Sequence, residues 1–432
     1  MRSSLQRGLF YIPLLVVLVF QFVFPSQAQV DRFGLTGTVT DASGGALAGV
    51  QVVALQSSTG MRRDTVTSDT GVYAIPNLPV GSYEVSFAHG GFVPVTYRGL
   101  TQTVGQTRKL DVTMKVLGVV GNIQVSGDAM PLEETSASVG QRIEPVQTRD
   151  LPLNGRNWAI LTALTPGAID SGGSNQRTIR FAGRGLDDNN FTFDGVDATN
   201  VLNQAQQPYV RLAIPTDSIQ EFRVESMLFT AESGPTAGGQ MAVTSGSGTN
   251  QFHGDVFEYY RNDVVDARNP FDDLNPTYPK PPFHLNQFGG SIGGPIVRNK
   301  TFFYLNYEGI RQHLGQTLVG FVPTDAYRAV VAAKSPALIP VLAAYPHGQT
   351  NINALVAQYV AEGTQIDHEN SGMVRLDQIF SDKTTAYLRF NFDAAVNTVP
   401  LGASGLYLAD TQQLNSRPVN GVIELLHTFN TN

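Results

Sequence analysis

Residues 244–312 constrain the fold most, because strand-like runs rich in Phe and Tyr alternate there with Gly- and Asn-containing turns. No helical period competes with this pattern. A soluble sheet buries one face and needs apolar residues on it. Here aromatic, Gly, Asn and charged residues mix along runs that are still long. Such a mixture is typical of a strand with lipid on one side and a polar lumen on the other.

The first 28 residues have the features of an export signal. Arg2 and Arg7 give a positive start, residues 9–23 are apolar, and residues 26–28 read Ser-Gln-Ala. A membrane anchor is the alternative, but the apolar run is short for a spanning helix, which needs roughly 20 apolar residues. Cleavage would make Gln29 the first residue of the mature chain.

Composition narrows the class of protein further. No other segment is long and apolar enough for a spanning helix, so an integral membrane protein would need a β-barrel. The absence of cysteine means that an exported chain has no disulfides. A net charge of −7 argues against a nucleic-acid partner. The 43 Gly and 24 Pro residues indicate many turns and a mostly β fold.

Residues 33–115 have the strand spacing of a small β-sandwich. Alternating runs at 35–40, 50–55, 72–75 and 82–87 recur at roughly ten-residue intervals. The stretches GLTGTVTDASGGALAGVQVVAL, SDTGVYAIPNLPVGSYEVSF and HGGF resemble the carboxypeptidase regulatory-like domain, a transthyretin-like sandwich. The resemblance implies a non-catalytic module, sometimes grouped with carbohydrate-binding folds. A spacer that simply folds is the plainer interpretation.

Residues 116–129 form a short β-prone linker bounded by glycines. Within it, residues 122–127 resemble a TonB box, the extended segment that the energy-coupling protein TonB captures by strand addition. Strand addition uses main-chain N–H and C=O groups, so loose sequence similarity is expected. An interdomain strand is the alternative. The candidate residues are Asn122, Ile123, Gln124, Val125, Ser126 and Gly127.

Residues 130–245 carry an ordered set of motifs. These are LPLNGRNW, an Arg184-Gly185 strand, an Asp194-Gly195 hairpin, a segment that reads PTDSIQEFRVE, and a Gly-rich exit, GPTAGGQMA. In this order they resemble the plug domain of TonB-dependent receptors. The usual Tyr-Gly pair is Ser233-Gly234 here, a departure that is typical of the Oar-like branch. The LPLNGRNW and GTNQFHGDVFEYYRN runs also resemble that branch.

Local chemistry suggests structural roles for these motifs. Asp194-Gly195 is a two-residue hairpin turn that favours positive φ. A buried guanidinium needs a carboxylate partner, so we expect Arg184 among Asp187, Asp188 or Asp194. Holding the plug together is the expected role, rather than ligand contact.

Residues 250–432 return to the strand pattern of a barrel. In 383–394 the even positions from Thr384 to Phe392 are mostly apolar, whereas the odd positions are mostly polar or charged, which predicts a lipid face and a lumen face. Residues 374–380 are the expected hairpin partner, joined through Ser381-Asp382. Ala-rich stretches around 326–333 and 352–360 predict helices in an insertion. An interfacial aromatic girdle is expected from Tyr259, Tyr260, Tyr304 and Tyr307.

About six strands fit after residue 250 at the usual ten or so residues each. Plugged transporter barrels have about 22 strands, and an eight-stranded barrel has room only for its own side chains. We therefore expect an incomplete barrel, and interpret the chain as the N-terminal fragment of a larger receptor.

No motif supports enzymatic chemistry. Residues 289–293 match the Gly-x-Ser-x-Gly elbow around Ser291, but a strand rather than the required helix follows. His253, His284 and His313 are expected at the surface or in the lumen, and no zinc or phosphate-binding motif occurs. We expect no enzyme, no cofactor and no metal.

Two functions fit the sequence. The first is an outer-membrane TonB-dependent transporter for a large substrate, with saccharides, peptides or protein export all open. Its expected partners are TonB, outer-membrane lipid and an extracellular substrate. The alternative is a surface protein that the barrel anchors in the outer membrane, with the sandwich as an adhesive or carbohydrate-binding module.

Overall fold

The computed structural model describes residues 32–102, 104–105, 107–118, 123–126, 138–143, 147–148, 151, 153–170, 179–185, 188–198, 214–229, 236–267, 280–400 and 411–429. Most residues in these ranges lie in β-strands, as the sequence predicts. No helix in these ranges is long and apolar enough to cross a membrane. The expected signal peptide, residues 1–28, lies outside them.

The described parts of residues 33–126 form two sheets that share one core, which we call the sandwich. The first sheet consists of β1 (Phe33–Asp41), β4 (Val72–Leu78), β7 (Thr107–Lys109) and β8 (Val112–Met114). The second consists of β2 (Gln51–Gln56), β3 (Arg62–Val66), β5 (Gly81–Ala88), β6 (Val95–Gln102) and β9 (Ile123–Ser126). The second sheet has the order β3-β2-β5-β6-β9, so β9 is an edge strand.

Strict alternation builds the sandwich core. In β1 every second residue is buried, because side chains on a strand point alternately to its two faces. Leu35 from the first sheet and Val85 from the second are both buried in this core. The Phe33 ring meets the Tyr83 ring edge-on, and Tyr73 meets Phe87 in the same way.

The described parts of 138–245 form a second unit, which we call the central domain. Its strands are β10 (Val139–Ile143), β11 (Ala168–Asp170), β12 (Ile179–Phe181), β13 (Asn190–Phe193), β14 (Val196–Asp197), β15 (Ile219–Met227) and β16 (Gln240–Ser245). Five of them form a sheet with the order β10-β15-β16-β13-β14.

Short 3-10 helices flank this sheet, at Asn154–Arg156, Trp158–Leu164 and Thr216–Ser218. The last of these turns, Thr216–Ser218, leads directly into β15. Trp158 anchors the core, since its ring packs on Phe222 and its Nε1 donates to the Ile214 carbonyl at 3.0 Å.

The remaining strands form one antiparallel large sheet. They are β17 (His253–Asn262), β18 (Phe283–Val297), β19 (Thr301–Pro323), β20 (Thr350–Asn351), β21 (Val356–Ser381), β22 (Thr384–Pro400), β23 (Thr411–Ser416) and β24 (Val419–His427). The order is β17-β18-β19-β21-β22, and β22 pairs with β23 and then β24 along its length. Among the described residues this sheet does not close into a barrel, as expected.

Burial in β22 follows the predicted alternation. Tyr387, Arg389 and Asn391 are buried, whereas Leu388 and Phe390 are exposed. Antiparallel pairing joins β21 to β22 through a tight turn at 382–383. The polar face of this hairpin therefore points inward and the apolar face outward.

The insertion before β21 contains one of the two predicted helices but not the other. Helix α1 (Asp325–Lys334) begins after Thr324, whose side chain accepts from Tyr327 N at 3.1 Å. A shorter helix, α2 (Ile339–Ala343), follows the 3-10 turn Pro336–Leu338. The helix predicted at 352–360 is wrong: Val356 pairs with Pro323 and begins β21.

Connections at the two ends of the large sheet differ in length. Residues 298–300 and 382–383 make tight turns at one end, the short-turn end. Residues 263–282 and 324–355 connect strands at the opposite end, the long-loop end. Because the strands are antiparallel, every second connection lies at the same end.

Candidate functional site: the contact between the central domain and the large sheet

The face of the large sheet that carries Tyr304, Arg375 and Arg389 contacts the central domain, and we call it the wall. Two clusters of buried charged side chains lie at this contact. In one a carboxylate of the central domain meets arginines of the wall. In the other an arginine of the central domain meets a carboxylate of the wall.

The Asp194 cluster starts from a hairpin turn. Asp194 and Gly195 have φ of 49° and 73°, the positive values expected of a two-residue turn between β13 and β14. The turn directs the Asp194 side chain inward, where it is 1% exposed. Its carboxylate accepts from Ser245 N and from Ser245 Oγ, both at 2.8 Å.

Two wall arginines complete the Asp194 cluster. Arg389 Nε lies 2.5 Å from Asp194 Oδ2, and Arg375 Nη1 lies 3.6 Å from Asp194 Oδ1. Arg389 also stacks on the Phe193 ring, with its guanidinium carbon 3.7 Å from the centroid. Arg375 is held by Asp377 at 2.8 Å. A buried carboxylate thus gains both charge partners and hydrogen bonds, as a buried ion pair requires.

The Arg156 cluster has the opposite polarity. Arg156 Nη2 lies 2.6 Å from Asp217 Oδ1 in the central domain, and Nε lies 3.4 Å from Glu308 Oε2 on the wall. Its guanidinium carbon is 3.8 Å from the centroid of the Phe257 ring, within cation–π range. Gln287 Nε2 donates to Glu308 Oε1 at 2.6 Å, which fixes the carboxylate.

Backbone conformation at Arg156 is unusual. Its φ is 53°, a left-handed value that is uncommon for a residue other than glycine. Gly155 before it has φ of 62° and its carbonyl accepts from Gln287 Nε2 at 3.4 Å. The Asn-Gly-Arg run of the LPLNGRNW motif therefore bends the chain where Arg156 meets the wall.

Neutral hydrogen bonds join the same surfaces. Tyr304 Oη donates to the Asp217 carbonyl at 2.6 Å, and Asn306 Nδ2 donates to Ser218 Oγ at 2.7 Å. Tyr304 is therefore buried on the wall, and its predicted place in an outer aromatic girdle is wrong. Tyr259, Tyr260 and Tyr307 are exposed.

One guanidinium and two other carboxylates lie near the Asp217 carboxyl. Burial raises the pKa of Asp217 to about 6, the Arg156 guanidinium opposes this rise, and the nearby Asp255 and Glu308 carboxylates add to it. The one cation, Arg156, pairs with two of these carboxylates, Asp217 and Glu308. The pKa of the Asp217 carboxyl therefore lies in the mildly acidic range.

The expected burial of Arg184 is wrong. Arg184 and Gly185 are exposed, and Gly185 N donates to Asp188 Oδ2 at 3.0 Å in a local turn. Asp188 is exposed as well, and Asp187 lies outside the described residues. Asp194 takes its guanidinium partners from the wall instead, because the fold brings β21 and β22 against the β13–β14 turn.

Of the predicted TonB box, the backbone of residues 123–126 is described. It forms β9, which pairs in parallel with β6 in the register Val95 to Ile123 and Arg98 to Ser126. The segment is thus extended, as predicted, and lies on the edge of the sandwich. Asn122 and Gly127 lie outside the described residues, as does the Ser233-Gly234 pair.

Ser291 lies in the middle of β18 and not on a strand-to-helix turn. Its Oγ donates to the Asp255 carboxylate on β17. The geometry of a nucleophile elbow is therefore missing. Among the described residues no group of His, Cys, Asp and Glu is arranged to hold a metal ion.

Sequence reasoning missed the two clusters. It placed Arg389 on the lumen face but gave it no partner, and it gave Arg156 and Glu308 no role. Alternation was the available signal, since a charged residue on the inward face of a long strand needs a buried partner. Which carboxylate that would be depends on contacts between segments almost 200 residues apart.

Comparison with protein families identifies two segments. Residues 34–115 match the carboxypeptidase regulatory-like domain, and residues 244–335 match an outer membrane beta barrel domain. The first match covers most of the sandwich, and the second covers β17 to β19 and α1.

A relative of known class extends over more of the chain. The TonB-dependent transporter Oar of Myxococcus xanthus is 24% identical over 311 residues, which are 68% of this chain and 28% of Oar. The chain therefore spans well under half the length of this relative. Oar is named as a transporter and not as an enzyme, which agrees with the sequence prediction.

Solved structures show lower similarity. The outer membrane transporter YddB from Escherichia coli has a TM-score of 0.46 at 12% identity, over 67% of this chain and 37% of YddB. The siderophore receptor PirA from Acinetobacter baumannii has a TM-score of 0.34 at 15% identity, over 68% of this chain and 45% of PirA. From the domain matches and the sequence relative, the chain is a homologue of the TonB-dependent transporter Oar that combines a carboxypeptidase regulatory-like domain with an outer membrane beta barrel domain.

Proposed function

We propose that this chain is the N-terminal part of an outer-membrane transporter that is driven by TonB. Residues 1–28 are its signal peptide, 33–115 its transthyretin-like sandwich, 116–129 its linker with the TonB box, 130–245 its plug and 250–432 the first part of its barrel. The homology to Oar supports the class. Since the chain spans 28% of that relative, further strands would complete the barrel.

One observation carries the proposal: a single sheet is covered by the central domain on one side and exposes apolar residues on the other. Leu388 and Phe390 point outward from β22, while Arg389 between them is fully buried against the central domain. A soluble protein rarely exposes so regular an apolar face. Lipid on the outer face and a plug on the inner face satisfy both sides.

The orientation of the sheet fits this proposal. Outer-membrane barrels have short periplasmic turns and longer extracellular loops. The short-turn end is therefore periplasmic. Asn250 and Asp382 contact the sandwich at this end, so the sandwich and β9 lie in the compartment where TonB acts.

Position also weighs against the adhesive alternative. A sandwich that displays or binds glycan at the cell surface would have to lie beyond the long loops. An external protease added to intact cells should leave residues 32–118 uncut, and should cut them only after the outer membrane is permeabilised. Cleavage in intact cells would favour the adhesive function instead.

Coupling to TonB would use main-chain groups of residues 122–127. The outer edge of β9 has main-chain groups with which a partner strand can pair. The whole segment can pair in the same way once it separates from β6. Substrate identity stays open among saccharides, peptides and exported proteins.

Binding to the C-terminal domain of TonB tests the coupling segment. Val125→Pro removes a main-chain donor and should reduce retention on immobilised TonB. Gln124→Ala keeps the backbone and should bind as the unaltered protein does, because strand addition depends mainly on main-chain bonds. Equal retention of all three proteins would contradict a TonB box at these residues. Deleting 121–127 from the full-length protein should abolish energy-dependent uptake.

A further inference from the structure

The sandwich touches both the large sheet and the central domain. On the large sheet, the Arg32 guanidinium pairs with Glu424 of β24 and Arg63 donates to the Asp382 carbonyl in the 382–383 turn. Asn250 N donates to the Ser58 carbonyl at 2.9 Å. These contacts attach the sandwich to the short-turn end.

A separate set of hydrogen bonds joins the sandwich to the central domain. Val104 N, in the turn between β6 and β7, donates to Glu221 Oε1 of β15 at 2.7 Å. Arg223 of the same strand donates through Nη1 to the Val104 carbonyl at 3.3 Å and to the Gly105 carbonyl at 3.0 Å. The turn thus donates one hydrogen bond to Glu221 and accepts two from Arg223.

Arg32 links the two contacts. Its carbonyl accepts from Gly105 N at 3.0 Å, while its side chain pairs with Glu424 on the large sheet. The turn that grips β15 is therefore fixed through one residue to the large sheet. Since β15 lies between β10 and β16, holding this strand holds the sheet of the central domain.

We propose that the sandwich is a clamp that couples the central domain to the short-turn end of the large sheet. Its grip on β15 depends on its own attachment at Arg32 and Arg63. The sandwich thus binds two other parts of the same chain, the short-turn end of the large sheet and β15 of the central domain. The clamp itself does not depend on the proposed transport function. Only its opening during transport rests on that function.

The chemistry of this contact suits a clamp that opens. The contacts named above are hydrogen bonds and one ion pair, and Ile379 of the large sheet also packs on the sandwich core. A cavity of about 90 Å³ lies between the three units, lined by Gln56, Ser245, Asp377 and Gln378 among others. Polar contacts between domains resemble those of transient interfaces.

Hydrogen–deuterium exchange on the full-length protein in lipid tests the coupling. The double variant Arg32→Ala/Arg63→Ala removes both side-chain contacts with the large sheet, leaves the Asn250 bond to Ser58 in place, and touches no side chain of the central domain. It should raise amide exchange in β15 about tenfold, while the sandwich core stays protected by its own packing. Glu221→Ala should raise the same exchange, and Glu258→Ala, at an exposed site on β17, should not.

A reversible staple supplies the matching rescue. A Cβ on Gly60 would lie 3.7 Å from the Cβ of Asn299, which is within the range of a disulfide. Gly60 has φ of 72°, where any side chain strains the backbone, so the reduced staple is the control for that strain. The chain has no cysteine, so the pair Gly60→Cys/Asn299→Cys would be unique. In the Arg32→Ala/Arg63→Ala background the oxidised staple should restore protection of β15, and the reduced staple should not.

Two results would overturn the clamp. One is unchanged exchange in β15 after Arg32 and Arg63 are replaced. The other is faster exchange that the oxidised staple leaves in place. Because neither TonB nor substrate is needed, failure of the clamp and failure of the transport proposal are separate outcomes.

Discussion

At the scale of single residues, buried charge defines the contact between the central domain and the wall. Asp194 and Arg156 carry opposite charges from the same domain into the same sheet. Asp194 is buried and Arg156 is partly buried, and each has hydrogen-bonded partners, which is the condition for a buried ion pair to be tolerated. Removing one member leaves the other without its main partner in a site that excludes water.

Arg389 gives the clearest test at this scale. Arg389→Met keeps much of the side-chain volume but leaves Asp194 without its nearest cation, and should lower the free energy of unfolding by about 3–5 kcal/mol. The urea midpoint of the protein in detergent micelles measures the loss. Lys383→Met, at an exposed turn next to the same strand, should change little. Similar midpoints for the two variants would show that the Asp194 cluster adds no stability.

Asp217 should give the contact a dependence on pH. Its folded pKa of about 6 lies above the unfolded value of about 3.9, so the folded state binds the proton more tightly. The contribution of Asp217 to stability should therefore fall as pH rises from about 4 to 6, and stay constant above that. Urea midpoints between pH 4 and 7 should show this slope, and Asp217→Asn should remove it. An unaltered slope in that variant would assign it to another group.

At the scale of elements, glycines in β18 make room for aromatic rings on neighbouring strands. A Cβ on Gly294 would lie 2.4 Å from the Phe252 ring, and one on Gly293 would lie 2.7 Å from the Tyr304 ring. The Gly-x-Ser-x-Gly run is thus a packing feature of a strand. The same letters would suit a catalytic turn only if a helix followed.

Gly294→Val should therefore disturb the pairing of β17 with β18. Overpacking typically costs about 1–3 kcal/mol, and here the Phe252 ring would have to move. Gly421→Val is the matched change on β24, where the nearest atom would be 3.6 Å away, an ordinary contact. Thermal unfolding should separate the two variants. A lower melting temperature for Gly421→Val than for Gly294→Val would contradict this packing.

At the scale of the whole molecule, the large sheet separates two environments. Its wall is polar and covered by the central domain, and its outer face carries exposed apolar residues such as Ile423 and Leu388. The sandwich closes on the short-turn end. This arrangement gives the molecule an exposed apolar side, an inner side covered by the central domain, and one end that holds the sandwich with β9.

Charge placed on the outer face should reveal its depth in lipid. Leu388→Arg, in the middle of the apolar stretch of β22, should cost about 2–4 kcal/mol, whereas Thr384→Arg at the short-turn end should cost about 0–1 kcal/mol. Folding of the purified full-length protein into lipid vesicles, followed by urea titration, measures both. Equal costs at the two positions would argue that lipid does not cover this face.

The sequence by itself determined the strands, their two faces and the division into motifs, because alternation and turn residues are local properties. It identified the Asp194-Gly195 turn and the face of β22 on which Arg389 lies. The sequence prediction was wrong where a local preference for helix competed with pairing to a distant strand. Residues 352–360 resemble a helix, yet Val356 pairs with Pro323 across the insertion. Only the tertiary structure decided that Asp194 meets Arg389 and not Arg184, and that the sandwich grips β15. Ion pairs and docking surfaces join segments far apart in sequence, and periodicity carries no information about which distant partner each one meets.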